Sequence, residues 1–159
     1  LITSFLLYQD LNIQCNFYIR GSRSNYLINS LPNSDKITFN NQVDPKYLPE
    51  IYASPTITVV SLVKKACLYA FPSRIITAIS LGSPILFITD QKENNPVSEF
   101  IEMHKIGLSI IVDSDAEYIS SYLKLSNNFS SYSKNALSCY CNLFQVDLCL
   151  SRIKELILS

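Results

Sequence analysis

Short apolar runs rich in Val, Ile, Leu and Phe recur along the chain, and most are followed by stretches whose apolar residues return at helical spacing. Residues 2–11 predict a first amphipathic helix, and residues 15–20 (CNFYIR) a strand that leaves through a turn at Gly21, Ser22 and Arg23. Tyr26, Leu27 and Leu31 mark a short helix closed by Pro32; residues 36–39 form a short strand, followed by the polar turn Asn40, Asn41, Gln42. Asp44 is placed to N-cap the next helix with Pro45 at its first position, and Tyr47, Leu48, Ile51 and Tyr52 make its inner face.

The middle of the chain carries the clearest pattern. Residues 56–62 (TITVVSL) have the β-branched density of a buried central strand. A loop over 63–72 follows, then a helix over 74–81, with Ser73 as its N-cap and Gly82 as the residue just past its end. Residues 84–89 (PILFIT) predict the next strand, 90–95 a polar loop, and 97–104 a helix that Gly107 separates from a strand over 108–112. Asp115 caps a helix reaching about residue 125, 127–133 is a polar break, and 132–158 is a tail of one long amphipathic helix or two.

Strands alternating with helices at short spacing require crossover connections, so the fold class expected is α/β: a parallel, Rossmann-like sheet of about five strands with helices on both faces and helices at the C-terminus. No repeat or dividing linker interrupts it, and residues 1–159 are expected to be one domain. In such sheets ligands bind beyond the carboxyl ends of the strands. Those ends fall at 21–23, 40–42, 63–65, 90–92 and Asp113, and the helix start at Ser73 shares their rim.

Composition narrows the choice of partners. Thirteen basic and 13 acidic residues cancel, which argues against nucleic acid or an anionic membrane held by bulk charge. Apolar residues make up 48% of the chain, enough for a sound core, yet no run is long enough to span a bilayer. The opening segment lacks a basic n-region and contains Asp10, unlike a signal peptide, and the sequon at Asn128 is read as incidental. Five cysteines without CxxC spacing, beside the single His104, offer no zinc set and read as free buried thiols in a reducing compartment.

Chemistry therefore concentrates at the rim. Exposed N–H groups at a helix start attract anions, and Arg74 adds bidentate donors suited to phosphate oxygens. The plain alternative is that Ser73 only caps and Arg74 only meets solvent. Lys64 and Lys65 either neutralise phosphates or form a solvated loop pair, and Gly21, Ser22 and Arg23 make either an oxyanion nest or an ordinary turn. Asp90 and Asp113 are read chiefly as capping or solvated loop residues, Glu99 and Glu102 as a solvated helix face, and His104 as a surface partner of a helix end. No Ser-His-Asp set, Walker loop or metal cluster is present in the sequence.

Tyr47-Leu48-Pro49-Glu50-Ile51-Tyr52-Ala53-Ser54, the following apolar strand, Pro72-Ser73-Arg74 and Leu81-Gly82-Ser83-Pro84-Ile85 stand in an order that resembles family 4 glycosyltransferases of the GT-B fold. The likeness is greatest to bacterial polysaccharide-assembly members whose donor loop reads Pro-Ser-Lys, and it extends over nearly the whole chain as their C-terminal, donor-binding domain. The resemblance implies a nucleotide-diphospho-sugar as substrate, a retaining transfer, and no metal or other cofactor. It places Arg74 on the donor diphosphate with Ser73 beside it, Gly21 at the nucleotide's approach, Asn41 and Gln42 near the base, and Leu62 to Lys64 along its pocket through backbone groups. Tyr69 and Thr77 occupy the positions of two family glutamates, Thr77 that of the ribose-binding one.

The resemblance further implies a missing N-terminal acceptor domain as partner. Because the chain opens on Leu at about the family's first helix, it is expected to be a fragment, cytoplasmic, inactive alone, with any peripheral membrane contact left to the absent half. Two other readings stand beside this one: a sugar-nucleotide epimerase on the same fold, and a non-catalytic α/β interaction module or decayed remnant.

Overall fold

A computed structural model describes residues 15–18, 35, 37–40, 44–111 and 115–158. The expected helices over 2–11 and at Tyr26–Leu31, the turn containing Gly21, and Asn41, Gln42 and Asp113 lie outside the described residues. The chain divides into two compact units, Leu1–Ile51 and Tyr52–Ser159.

In the first unit, strands β1 (Cys15–Tyr18) and β2 (Ile37–Asn40) pair in parallel, Cys15 opposite Ile37 and Tyr18 opposite Asn40. A 3-10 turn over Pro45–Tyr47 then leads into the single-turn helix α1 (Leu48–Ile51). Asp44 caps this turn as expected, its Oδ1 accepting from the Lys46 N–H at 3.1 Å. The expected inner face is half-buried at Leu48, Ile51 and Tyr52, whereas Tyr47 is exposed, with the Lys46 ammonium 4.8 Å from its ring centroid. One turn is too short to turn a full apolar stripe inward.

The second unit is a three-stranded parallel sheet in the order β3-β4-β5, formed by β3 (Thr58–Ser61), β4 (Ile85–Thr89) and β5 (Gly107–Ile111). Thr58 pairs with Ile85, and Ile85 with Gly107, so all three strands start level. The central strand β4 is buried along its whole length, whereas β3 alternates buried Thr58 and Val60 with exposed Val59 and Ser61. The segment expected as a loop between β3 and the next helix contains a turn of helix, α2 (Lys64–Cys67), before α3 (Ser73–Ser80).

Helix α3 ends where its sequence says it should. Gly82 adopts φ 71°, its N–H reaches the Ile79 carbonyl at 3.2 Å, and the Ser83 N–H reaches that of Ala78 at 2.9 Å. This pair of bonds is a Schellman lock. Helix α4 (Pro96–Met103) ends in the same lock, with Lys105 at φ 51°, its N–H on the Glu102 carbonyl at 3.1 Å and the Ile106 N–H on that of Ile101 at 3.1 Å. Gly107, expected to break the chain between helix and strand, is instead the first residue of β5. A Cβ there would sit 2.0 Å from the Ile85 carbonyl oxygen, so the glycine permits close approach of two strands.

Three helices complete the unit: α5 (Asp115–Asn127), α6 (Phe129–Leu143) and α7 (Val146–Leu158). The polar break expected over 127–133 shrinks to Asn128. The tail resolves into two helices, one of the alternatives expected. Ile75, Ala78 and Ile79 of α3, Val97 and Ile101 of α4, and Ala136 and Cys139 of α6 close over Val60, Ile85 and Phe87 in one core. Each fully buried large side chain there contributes about 1.5–3 kcal/mol. The whole is a mixed α/β fold with a small parallel sheet and C-terminal helices, and none of its described helices is long and apolar enough to cross a membrane.

Candidate anion site at the start of helix α3

Helix α3 follows β3 and leads back to the start of β4, so its first turn lies towards the carboxyl end of the parallel strands. Its N-cap is Pro72, not Ser73: Pro72 is extended at φ −64° and ψ 113°, and its carbonyl accepts from the Ile75 N–H at 2.9 Å. Ser73 is already inside the helix, where its hydroxyl is past the position from which it could cap. No side chain caps this end. The Ser73 and Arg74 amide groups, which precede the first bond of the helix, therefore remain open to an anion. Ser73 and Arg74 are both exposed, and Arg74 forms no ion pair among the described residues.

The neighbouring helix start is closed. Asp90, at the end of β4, accepts from the Lys64 N–H through Oδ1 at 2.6 Å, which fills the positive end of α2 with the protein's own carboxylate. That bond is the main reason the Asp90 carboxyl is held below its ordinary range. The backbone at 62–64 is engaged elsewhere too: the Leu62 N–H donates to the Ile88 carbonyl at 3.0 Å, and the Val63 carbonyl accepts from Ala66 at 2.9 Å and Cys67 at 3.2 Å. The Leu62 side chain packs against the core. Lys65 and Tyr69 are exposed, Tyr69 at 86%. The Thr77 hydroxyl donates to the Ser73 carbonyl one turn back at 3.4 Å.

A second network braces the rim beside Asp90. Asn95, wholly buried, caps α4 by accepting from the Val97 and Ser98 N–H groups at 3.1 and 3.3 Å. Its Nδ2 donates to Thr89 Oγ1 at 3.1 Å and to the Gln91 carbonyl at 3.0 Å. Sequence reasoning passed over Asn95, although Asn immediately before Pro96 and an apolar run is a helix-start signature. The Asp90–Lys64 contact joins residues 26 apart and has no local signal.

Among the described residues, then, Leu62, Lys64, Ser73, Arg74 and Thr77 all lie on the β3–α3 crossover, but only Ser73 and Arg74 stand at an uncapped helix start. His104 is the C-cap of α4 and lies 4.5 Å from the Phe100 ring. Glu102 pairs with Lys92 at 3.1 Å while Glu99 is exposed. Cys67 and Cys139 are buried free thiols, and burial pushes both up in pKa, away from thiolate chemistry; Cys141, by contrast with the expectation, is exposed. No three His, Cys, Asp or Glu residues converge as metal ligands among the described residues. Two cavities, of about 180 and 400 Å³, lie at the opposite end of the sheet and include neither Ser73 nor Arg74.

No known protein family, curated protein or solved structure matches the chain.

Proposed function

We propose that the chain is the Rossmann-like donor-binding domain of a GT-B glycosyltransferase, a fold with a sheet of about five strands. The observation that carries this reading is the uncapped start of α3 with exposed Arg74 at its second position, on the crossover from β3. Backbone N–H groups, a helix dipole and a guanidinium on one spot form a site for a diphosphate. During transfer of the sugar, charge builds on the departing diphosphate, and this cluster stabilises it. Ser73 contributes its N–H group and hydroxyl, Lys64 and Thr77 stand on the same crossover, and Gly21, Asn41 and Gln42 serve the nucleotide. In the intact enzyme an acceptor domain closes the cleft, the anomeric configuration is retained, and no metal is required.

Calorimetric titration of the folded chain with UDP- and GDP-sugars tests the proposal. Binding is expected, and Arg74→Ala weakens it by about 1.5–3 kcal/mol, the scale of a hydrogen bond to a charged group. A folded sample that binds neither class of donor ends the donor-site reading. The second reading, a non-catalytic α/β module, is favoured by the internal engagement of the backbone at 62–64, and that negative titration is the result it expects.

A further inference from the structure

The larger cavity, about 400 Å³, opens at the amino end of β5, where the last turn of α4, the end of α5 and the first turns of α6 meet. Its wall includes Glu102, Lys105, Lys124, Asn128, Tyr132 and Asn135. Glu102 is already matched by Lys92 at 3.1 Å, and neither Lys105 nor Lys124 has an ion-pair partner among the described residues. Two positive charges on separate elements thus face a concavity with no uncompensated carboxylate among those residues. Amides hold the backbone beneath both: Asn135 Nδ2 donates to the Lys105 carbonyl at 3.0 Å, and Asn128 Nδ2 to the Lys124 carbonyl at 2.9 Å.

Lys105 stands where the backbone prefers another residue. At φ 51° it closes α4 with the lock that Gly82 supplies to α3, a conformation in which a side chain is strained and glycine is not. The lysine puts an ammonium on the cavity wall that glycine could not. We propose that this cavity binds a small phosphate-bearing anion, with Lys105 and Lys124 as its two cationic contacts. A pair of ammonium groups suits a dianion, and compact point charges suit a tetrahedral oxyanion. The volume admits a small molecule, and the zero net charge of the chain argues against a polyanion. This site is separate from the start of α3 and does not depend on the glycosyl-transfer reading.

Titration calorimetry with sodium pyrophosphate, at ionic strength fixed with sodium chloride, tests it in the Arg74→Ala protein, where the diphosphate site proposed at α3 is weakened. Saturable one-site binding is expected there, weakened at least tenfold by adding Lys124→Ala or Lys105→Gly. Lys105→Gly relaxes the turn and raises the urea midpoint, so its loss of binding is not a loss of fold. Absence of saturable binding by the folded Arg74→Ala protein, or unchanged affinity in both lysine variants, overturns the proposal. Failure of the donor reading is seen separately, in the sugar-nucleotide titrations of the Arg74-containing chain.

Discussion

Gly107 shows how a single position can be legible as special and still be misread. Glycine between a helix and a strand reads as a turn, yet the left-handed turn falls to Lys105, and Gly107 serves the contact between β4 and β5. The two uses are indistinguishable in sequence because both favour a residue without a side chain. They separate by experiment. Gly107→Ala would drive a methyl into the Ile85 carbonyl, an obstacle of backbone rather than a movable side chain, and should destabilise by about 3 kcal/mol, read from urea unfolding. A glycine needed only for its dihedral freedom would respond far less, since no positive φ is found at this residue.

Helices and strands of the second unit follow closely from their sequences: α3, α4 and β4 begin and end within about one residue of the apolar pattern and its Pro, Asn and Gly punctuation. The short helix α2 was hidden because Lys64–Cys67 has no apolar period of its own, and its first N–H is capped by Asp90, distant in sequence. That link has a pH signature. The Asp90 carboxyl titrates lower in the folded chain than in the unfolded one, chiefly through the Lys64 N–H, so its stabilising effect is fully present above about pH 4 and lost as pH falls through the folded value. Urea midpoints taken between about pH 7 and 3 should therefore fall less steeply for Asp90→Asn, which keeps an accepting oxygen but cannot titrate.

For the molecule as a whole, the α/β character and the parallel pairing were legible, because only crossovers can join strands spaced this way. The position of the two cavities was not. The rim at the carboxyl ends of β3 and β4 is partly closed by Asp90 and Asn95, while the two cavities described above lie at the amino ends, among α4, α5 and α6. Burial is also uneven across the sheet. β4 is shielded on both faces and β3 on one, so amide hydrogen exchange should show β4 opening only with global unfolding and β3 exchanging through smaller fluctuations. Equal protection of the two strands would mean that they unfold as one unit.

The paired helix locks carry a consequence for what insertions and deletions the chain tolerates. Only Gly82, Ser83 and Pro84 separate the cap of α3 from β4, and only Lys105 and Ile106 separate that of α4 from β5. These joints have no slack. Adding or removing one residue in either one would shift the strand that follows by half a pleat, exchanging the side chains of its two faces along its length. Length variants of this domain should accumulate elsewhere and spare both hinges.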